Sequence, residues 1–393
     1  MTPPDRTPEV PRYPFGEPHL LALDSRYAGL RDREGPSRVE VGGLGEAWLC
    51  SRYADVRRLL TEPRFALTPP AGTPDLAAEQ AVRIAAAGLK PRRIERLRGA
   101  TESIADGLLD RLAPPADLMA AFVKPLTTAV LCELIGVPAA DRPGVQALLL
   151  GAATTADPPS EAERQDRRGL FRYLAGLLAE RTGESEDLLG SMVRDRGEAD
   201  DRQLVRAAMR LLLPGLQNTV LMLANFVCAL AHHRPDLASL RRHPELVPTA
   251  VEELIRFTPF HSTSTFPRYA AEDIELGGTL LRRGDAVLGA LCAANRDERA
   301  FAAPDAFDIR RTENAHLGFG MGPHHCPGAA LVRLQLQVAL GALARRIDGL
   351  RLAPAGDRDG RVIRWSDPLP VTWAAINGRT GGPAGSSPDP SDC

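Results

Sequence analysis

Cysteine is scarce and unpaired in this chain of 393 residues. Six are present, at 50, 132, 228, 292, 326 and 393, with no C-x-x-C spacing. That scatter excludes a disulfide-stapled scaffold and a multi-cysteine zinc centre, and it fits a reducing compartment. Lysine is nearly missing: Lys90 and Lys124 stand alone among 48 basic residues, the rest being arginine, as in a chain from a GC-rich genome. An excess of either charge is missing too. With 48 basic against 50 acidic residues the net charge is −2, so no global field calls for nucleic acid or an anionic membrane. The opening Met-Thr-Pro-Pro-Asp-Arg has no apolar segment of the secretory kind, and a cytoplasmic setting is expected.

What is present is ordinary globular material, 44% hydrophobic and 25% charged. Gly and Pro together make 69 of 393 residues (35 and 34), below the roughly 25–30% of low-complexity chains. One run, 211–231, carries no formal charge and is long enough to span a bilayer. Its interior suits lipid poorly, because Pro214 and Gly215 interrupt it and Gln217, Asn218, Thr219 and Asn225 would need partners in hydrocarbon. A helix buried in a large globular domain explains it better.

Along the chain, alternation predicts strands at 37–41 and 47–51, and 3.6-residue periodicity predicts helices over 52–60, 92–112, 126–135, 161–181, 200–232 and 245–256. Between 259 and 302 the β-branched and Gly-rich turn content predicts small sheets. Beyond Asn377 the sequence is Gly/Ser/Pro/Asp-rich and reads as a disordered tail, 377–393. No repeat and no linker divides the rest. The expected organisation is therefore one mainly α domain with minor β, 1–376, whose first residues, 1–12, form a flexible segment.

The most informative stretch is HLGFGMGPHHCPGAALVR, 316–333. Glycines let backbone approach a flat ligand closely, and Cys326 lies where the N–H groups of a following helix favour a thiolate. A zinc site through His324, His325 and Cys326 is disfavoured, since adjacent residues rarely converge on one ion and no fourth ligand stands at a suitable spacing. Glu253 and Arg256 form an E-x-x-R pair on a predicted helix, one face apart by i,i+3.

Phe319, Gly320, Gly322, His324, Cys326 and Gly328 make an F-G-x-G-x-x-H-x-C-x-G pattern that resembles the haem-binding loop of the cytochrome P450 family, in particular its soluble, actinomycete-like bacterial members. The resemblance extends from about Tyr13 to Trp373. It implies the triangular, mainly helical P450 fold, haem b (iron protoporphyrin IX) and Cys326 as the iron ligand. It also implies propionate contacts from Arg268 and His324, with Phe319, Gly320 and Gly328 against the porphyrin. A buried structural set of Glu253, Arg256 and Arg311 is implied as well.

Besides a loop between Phe65 and Asp75 that is much shorter than usual, which implies a more open distal pocket or one closed by a bulky substrate, the chain departs from the family pattern in three places. The central-helix motif, usually A-G-x-[DE]-T, reads Pro214-Gly215-Leu216-Gln217-Asn218-Thr219. Two amides stand where an acid and an alcohol deliver protons, and neither titrates, though both can hold water; a one-residue slip would give the alcohol's place to Thr219. Where the family has a histidine-bearing propionate helix, this chain has Ala78 and leaves Arg83 as the only cation. Pro327 removes one N–H donor beside Cys326, which fits either proline's preference for a first helical position or a more electron-rich thiolate.

The segment His261, Ser262, Thr263, Ser264, Thr265 and Phe266 corresponds to a strand beside the haem, so its polar side chains are the substrate-facing candidates; alternation lets one set or the other face the pocket. The implied activity is monooxygenation, by hydroxylation or a related oxidation, of a small-molecule secondary metabolite. Electrons would come from a ferredoxin and its reductase, to a monomer with no nucleic-acid or membrane partner. The amide pair keeps open oxidative coupling, rearrangement or peroxide-driven chemistry, and a non-catalytic haem or ligand-binding role is a further alternative.

Overall fold

The computed structural model describes residues 10–16, 22–70, 72, 76–153, 158–259, 267–353 and 363–377. Two of its principal helices begin at capping boxes. Ser160 accepts from the Glu163 N–H while the Glu163 carboxylate accepts from the Ser160 N–H, starting the helix Glu161–Ala179. Asp200 and Gln203 do the same at 2.7 and 2.9 Å for the helix Asp201–His232. Each box satisfies two of the backbone donors that a helix start leaves without partners.

Asp201–His232, the central helix, is long and apolar enough to cross a membrane by length and composition, yet 56% of its most apolar window is buried inside the protein. Gln217 and Asn225 are engaged by protein partners. Asn225, 5% exposed, donates to the carbonyls of Leu221 (2.8 Å) and Ile363 (3.2 Å) and accepts from the Ile363 N–H (2.9 Å). Pro214 cannot donate to the Arg210 carbonyl one turn back. The helix nevertheless continues through it without a break, so the expected interruption is absent.

The predicted helix over 92–112 is two helices, Pro91–Glu95 and Arg98–Leu109. Between them Arg96 and Leu97 donate back three residues, to Arg93 and Ile94, and the α pattern resumes with Thr101 to Leu97. A turn of tighter winding is invisible to periodicity because it shifts the phase by less than one residue. The helix expected at 126–135 is Lys124–Leu134, preceded by a π-helical turn, Met119–Val123. The helix expected at 245–256 is Val247–Phe257 after a 3₁₀ turn, Pro244–Leu246.

A six-stranded mixed sheet runs Arg12–Tyr13, Ser37–Val41, Gly45–Cys50, Ala286–Gly289, Arg268–Ala270, Phe65–Ala66 in spatial order. It joins segments more than two hundred residues apart and places Arg268 opposite Val287. The sheets expected after 259 are there. Ile274–Leu276 and Thr279–Leu281 pair over Gly277 and Gly278, whose φ of +57° and +77° give the turn that a two-residue hairpin favours. One large apolar cluster packs the central helix with Val247–Phe257 and Ala329–Arg346, and two smaller clusters back the sheet.

Candidate active site

The cysteine loop is held from three directions. Leu317 donates its N–H to Asn295 Oδ1 (2.7 Å), Gly320 to the Leu317 carbonyl (2.8 Å), and Cys326 to the Phe319 carbonyl (2.9 Å). Gly320 and Gly322 sit at φ +70° and +74°, and a Cβ on Gly322 would come within 2.8 Å of the Leu60 carbonyl. Both glycines are therefore required, one by its backbone and the other by backbone and packing. A Cβ on Gly318 would meet Ile255 at 2.4 Å, a close approach that the sequence alone did not reveal.

Cys326 is half-buried. Burial pushes its thiol up, while the Gly328 N–H, the Arg333 charge and the Ala329 N–H pull the other way. Two backbone donors thus remain on the sulfur after Pro327 has removed one. The following helix starts at Ala329 with Gly328 as its cap, so Pro327 lies outside the helix and does not occupy its first position. Among protein atoms a Cβ on Gly328 would meet the sulfur at ordinary contact, 3.9 Å, and the Gly328 N–H is one of the donors that favour the thiolate.

Behind the loop lies a cluster that sequence reading missed. Glu252 accepts from Arg333 at 2.7 and 2.8 Å and from His316 Nε2 at 3.0 Å. His316 Nδ1 accepts from the Gly318 N–H at 3.2 Å, which puts the ring proton on Nε2. Arg333 also stands over the Phe319 ring, 4.6 Å from its centroid. Burial alone would raise Glu252, but His316 and Arg333 hold it down to about 2. Its members stand in stretches already singled out, Glu252 before the E-x-x-R glutamate and His316 and Arg333 at the two ends of 316–333, but nothing along the chain pairs them.

The E-x-x-R set is assembled as expected. Glu253, fully buried, accepts from Arg256 at 2.7 and 2.8 Å, Arg311 at 3.1 Å, Asn314 at 3.3 Å and the Asp308 N–H at 2.9 Å. Arg256 continues to the carbonyls of Asn295 (2.9 Å) and Pro304 (2.7 Å). Since Asn295 also anchors Leu317, the pair braces the cysteine loop through one intermediate residue.

Arg268 is 8% exposed, and its Nη1 is buried with no hydrogen-bond partner among the described residues. Burial lowers its pKa. His324 is exposed, and its pKa is lowered by partial desolvation and then by the Arg268 charge, which acts across the space between the two side chains. A buried guanidinium nitrogen without an acceptor among the described residues suits an anionic group. Arg83 is exposed and makes no hydrogen bond or ion pair among the described residues. His261, Ser262, Thr263, Ser264 and Thr265 lie outside the described residues.

On the central helix Gln217 donates its side-chain amide to the carbonyl of Ala153, just past the helix Arg142–Ala152. Asn218 is exposed, Thr219 is 1% exposed and faces the packed interior, and a Cβ on Gly215 would meet nothing within 4 Å. The open side of this motif is thus Gly215 and Asn218, and Gln217 is already engaged.

A family model, Cytochrome P450, matches residues 194–348, which hold the central helix, the E-x-x-R pair and the cysteine loop. The mycinamicin IV hydroxylase/epoxidase of Micromonospora griseorubida is 38% identical over 394 residues, covering 92% of this chain and 98% of that protein. The chain belongs to the cytochrome P450 family. The nocardicin C N-oxygenase of Nocardia uniformis subsp. tsuyamanensis is also 38% identical, over 390 residues, with 92% and 98% covered. The solved structure of the mixed-function P450 MycG superposes on this P450 with a TM-score of 0.84 at 34% identity, covering 93% of this chain and all of that one. This P450 is accordingly a haem-thiolate monooxygenase that binds iron protoporphyrin IX and acts on a small molecule with redox partners. The buried nitrogen of Arg268, without a partner among the described residues, and the half-buried, N–H-capped sulfur of Cys326 fit such a group.

Proposed function

We propose that Cys326 ligates the haem iron, that Arg268 and His324 hold its propionates, and that the protein hydroxylates or similarly oxidises a small secondary metabolite. Haem, when bound, supplies the oxidative chemistry; the chain supplies orientation, charge and proton supply. The observation that carries the reading is the Arg268 Nη1, which has no partner among the described residues, because a buried cation without an acceptor costs free energy unless a carboxylate of the cofactor meets it. Phe319 and Gly320 would lie against the porphyrin, with the Glu252–Arg333–His316 cluster fixing the loop from behind. Electrons would arrive from a ferredoxin and its reductase on the face near Cys326, to a monomer in the cytoplasm. Strands from residues 12 to 289 share one sheet, which supports treating 1–376 as one domain.

Proton supply is where this chain differs from its family. Gln217 is engaged by Ala153 and, as an amide, is neither acid nor base. Asn218, exposed on the open side, can orient a water but has no proton of its own to give at neutral pH. This favours a second reading, in which the same site couples or rearranges its substrate with no oxygen inserted. Turnover under isotopically labelled dioxygen separates the two: label in the product supports insertion, and unlabelled oxidised product overturns it. In the first reading Asn218→Thr raises the yield of product per electron consumed.

A further inference from the structure

Two helices present matched rows of arginine at i,i+4 spacing: Arg164, Arg168 and Arg172 on Glu161–Ala179, and Arg202, Arg206 and Arg210 on the central helix. All six are exposed. Four of them, Arg168, Arg172, Arg206 and Arg210, line a shallow groove of about 670 Å³ together with Arg167, Phe171 and Met209, and no Asp or Glu lines it among the described residues. Arg164 and Arg168 share one carboxylate, Glu161, at 2.8 and 3.5 Å. Arg172, Arg206 and Arg210 have no hydrogen bond or ion pair among the described residues.

Like charges one turn apart destabilise a helix, and here the pattern is repeated on two neighbouring helices. A chain with a net charge of −2 does not acquire such a patch from general basicity. A local rule broken without a return inside the fold points to something outside it. An apolar strip flanked by two rows of cations is the complement of a helix with an apolar spine flanked by carboxylates. A duplex phosphate backbone has no apolar surface to place against Phe171 and Met209, and two apolar side chains are too few to anchor the arginines in a bilayer.

We propose that this groove docks an acidic amphipathic helix of a partner protein. It is separate from the cysteine loop and does not rest on the reading of that loop. It does adjoin the grip on Gln217: Arg167, also lining the groove, donates to the Ala152 carbonyl at 3.1 Å, next to the Ala153 carbonyl that Gln217 holds.

The test uses purified holoprotein and a fluorescein-labelled 18-residue helical peptide with leucines at i, i+3, i+4 and i+7 and glutamates on both flanks. Controls are the same peptide with every glutamate replaced by lysine, an 18-base-pair DNA duplex, and vesicles of phosphatidylcholine with phosphatidylglycerol. The glutamate peptide is expected to bind at least tenfold more tightly than the lysine peptide, to weaken with salt, and to slow amide exchange in 161–179 and 201–213. The triple variant Arg172→Gln, Arg206→Gln, Arg210→Gln keeps much of the side-chain stems, and it is expected to bind the peptide at least tenfold less tightly with an unchanged haem spectrum and an equal or higher thermal midpoint. No binding of the glutamate peptide, undiminished binding by the variant, tighter binding of DNA or vesicles than of peptide, or a lowered midpoint in the variant would each overturn the proposal.

Discussion

The side-chain amide of Gln217 donates to the backbone carbonyl of Ala153, tying the middle of the central helix to the end of the helix Arg142–Ala152. A residue in a position associated with proton delivery thereby acts as a strut. Gln217→Leu removes a hydrogen bond whose net worth is about 0.5–1.5 kcal/mol, so amide exchange at 149–153 should speed up roughly 2- to 12-fold. Exchange unchanged from wild type would mean that the strut holds nothing.

In the proposed function the buried Arg268 guanidinium holds a carboxylate of the cofactor. A charge-assisted hydrogen bond contributes about 1.5–3 kcal/mol, so Arg268→Met should release haem to an excess of apomyoglobin roughly 10- to 150-fold faster. Arg268→Lys, which keeps the charge without the fork, should fall between. Equal release rates would detach Arg268 from the cofactor.

Glu253 has lost all contact with water and serves five donor groups. Removing one partner of a buried pair costs about 3–5 kcal/mol, and Arg256→Met should shift the urea midpoint of the holoprotein accordingly. Because Arg256 reaches the cysteine loop through Asn295, the variant should also hold haem less firmly. A variant as stable as wild type would contradict the bracing role.

Glu252 gives the protein an acid limb. Its folded pKa of about 2 lies below the ordinary 4.5, so its contribution is complete above about pH 4.5 and is lost as the pH falls toward 2, where the folded carboxylate finally takes up its proton. The amount is on the order of 2–3 kcal/mol. Glu252→Gln should therefore flatten the fall in stability between those values and leave the slope above pH 5 as it was. An unchanged acid limb would remove the cluster from the account.

The sequence carried most of what local chemistry determines. Cys326 and its glycines, the E-x-x-R pair and the central helix over 200–232 were readable, because each is written in residues close together or in a long uniform period, while Arg311 as the third member came from the family resemblance. Periodicity missed the break at Arg96 and Leu97 and the π turn at Met119–Val123, since both alter the winding without altering the apolar pattern. Glu252, His316 and Arg333 form one cluster only because three separate segments meet, and Gln217 finds Ala153 only in three dimensions. Such partners have no signature along a single chain.

The central claim is that Cys326 is the thiolate ligand of the haem iron. It is tested most directly by the reduced carbonyl spectrum of the purified holoprotein. Wild type should show the red-shifted Soret band of thiolate-ligated haem, and Cys326→Ala should abolish it; a protein that binds no haem, or a Cys326→Ala variant that keeps the shifted band, would contradict the account.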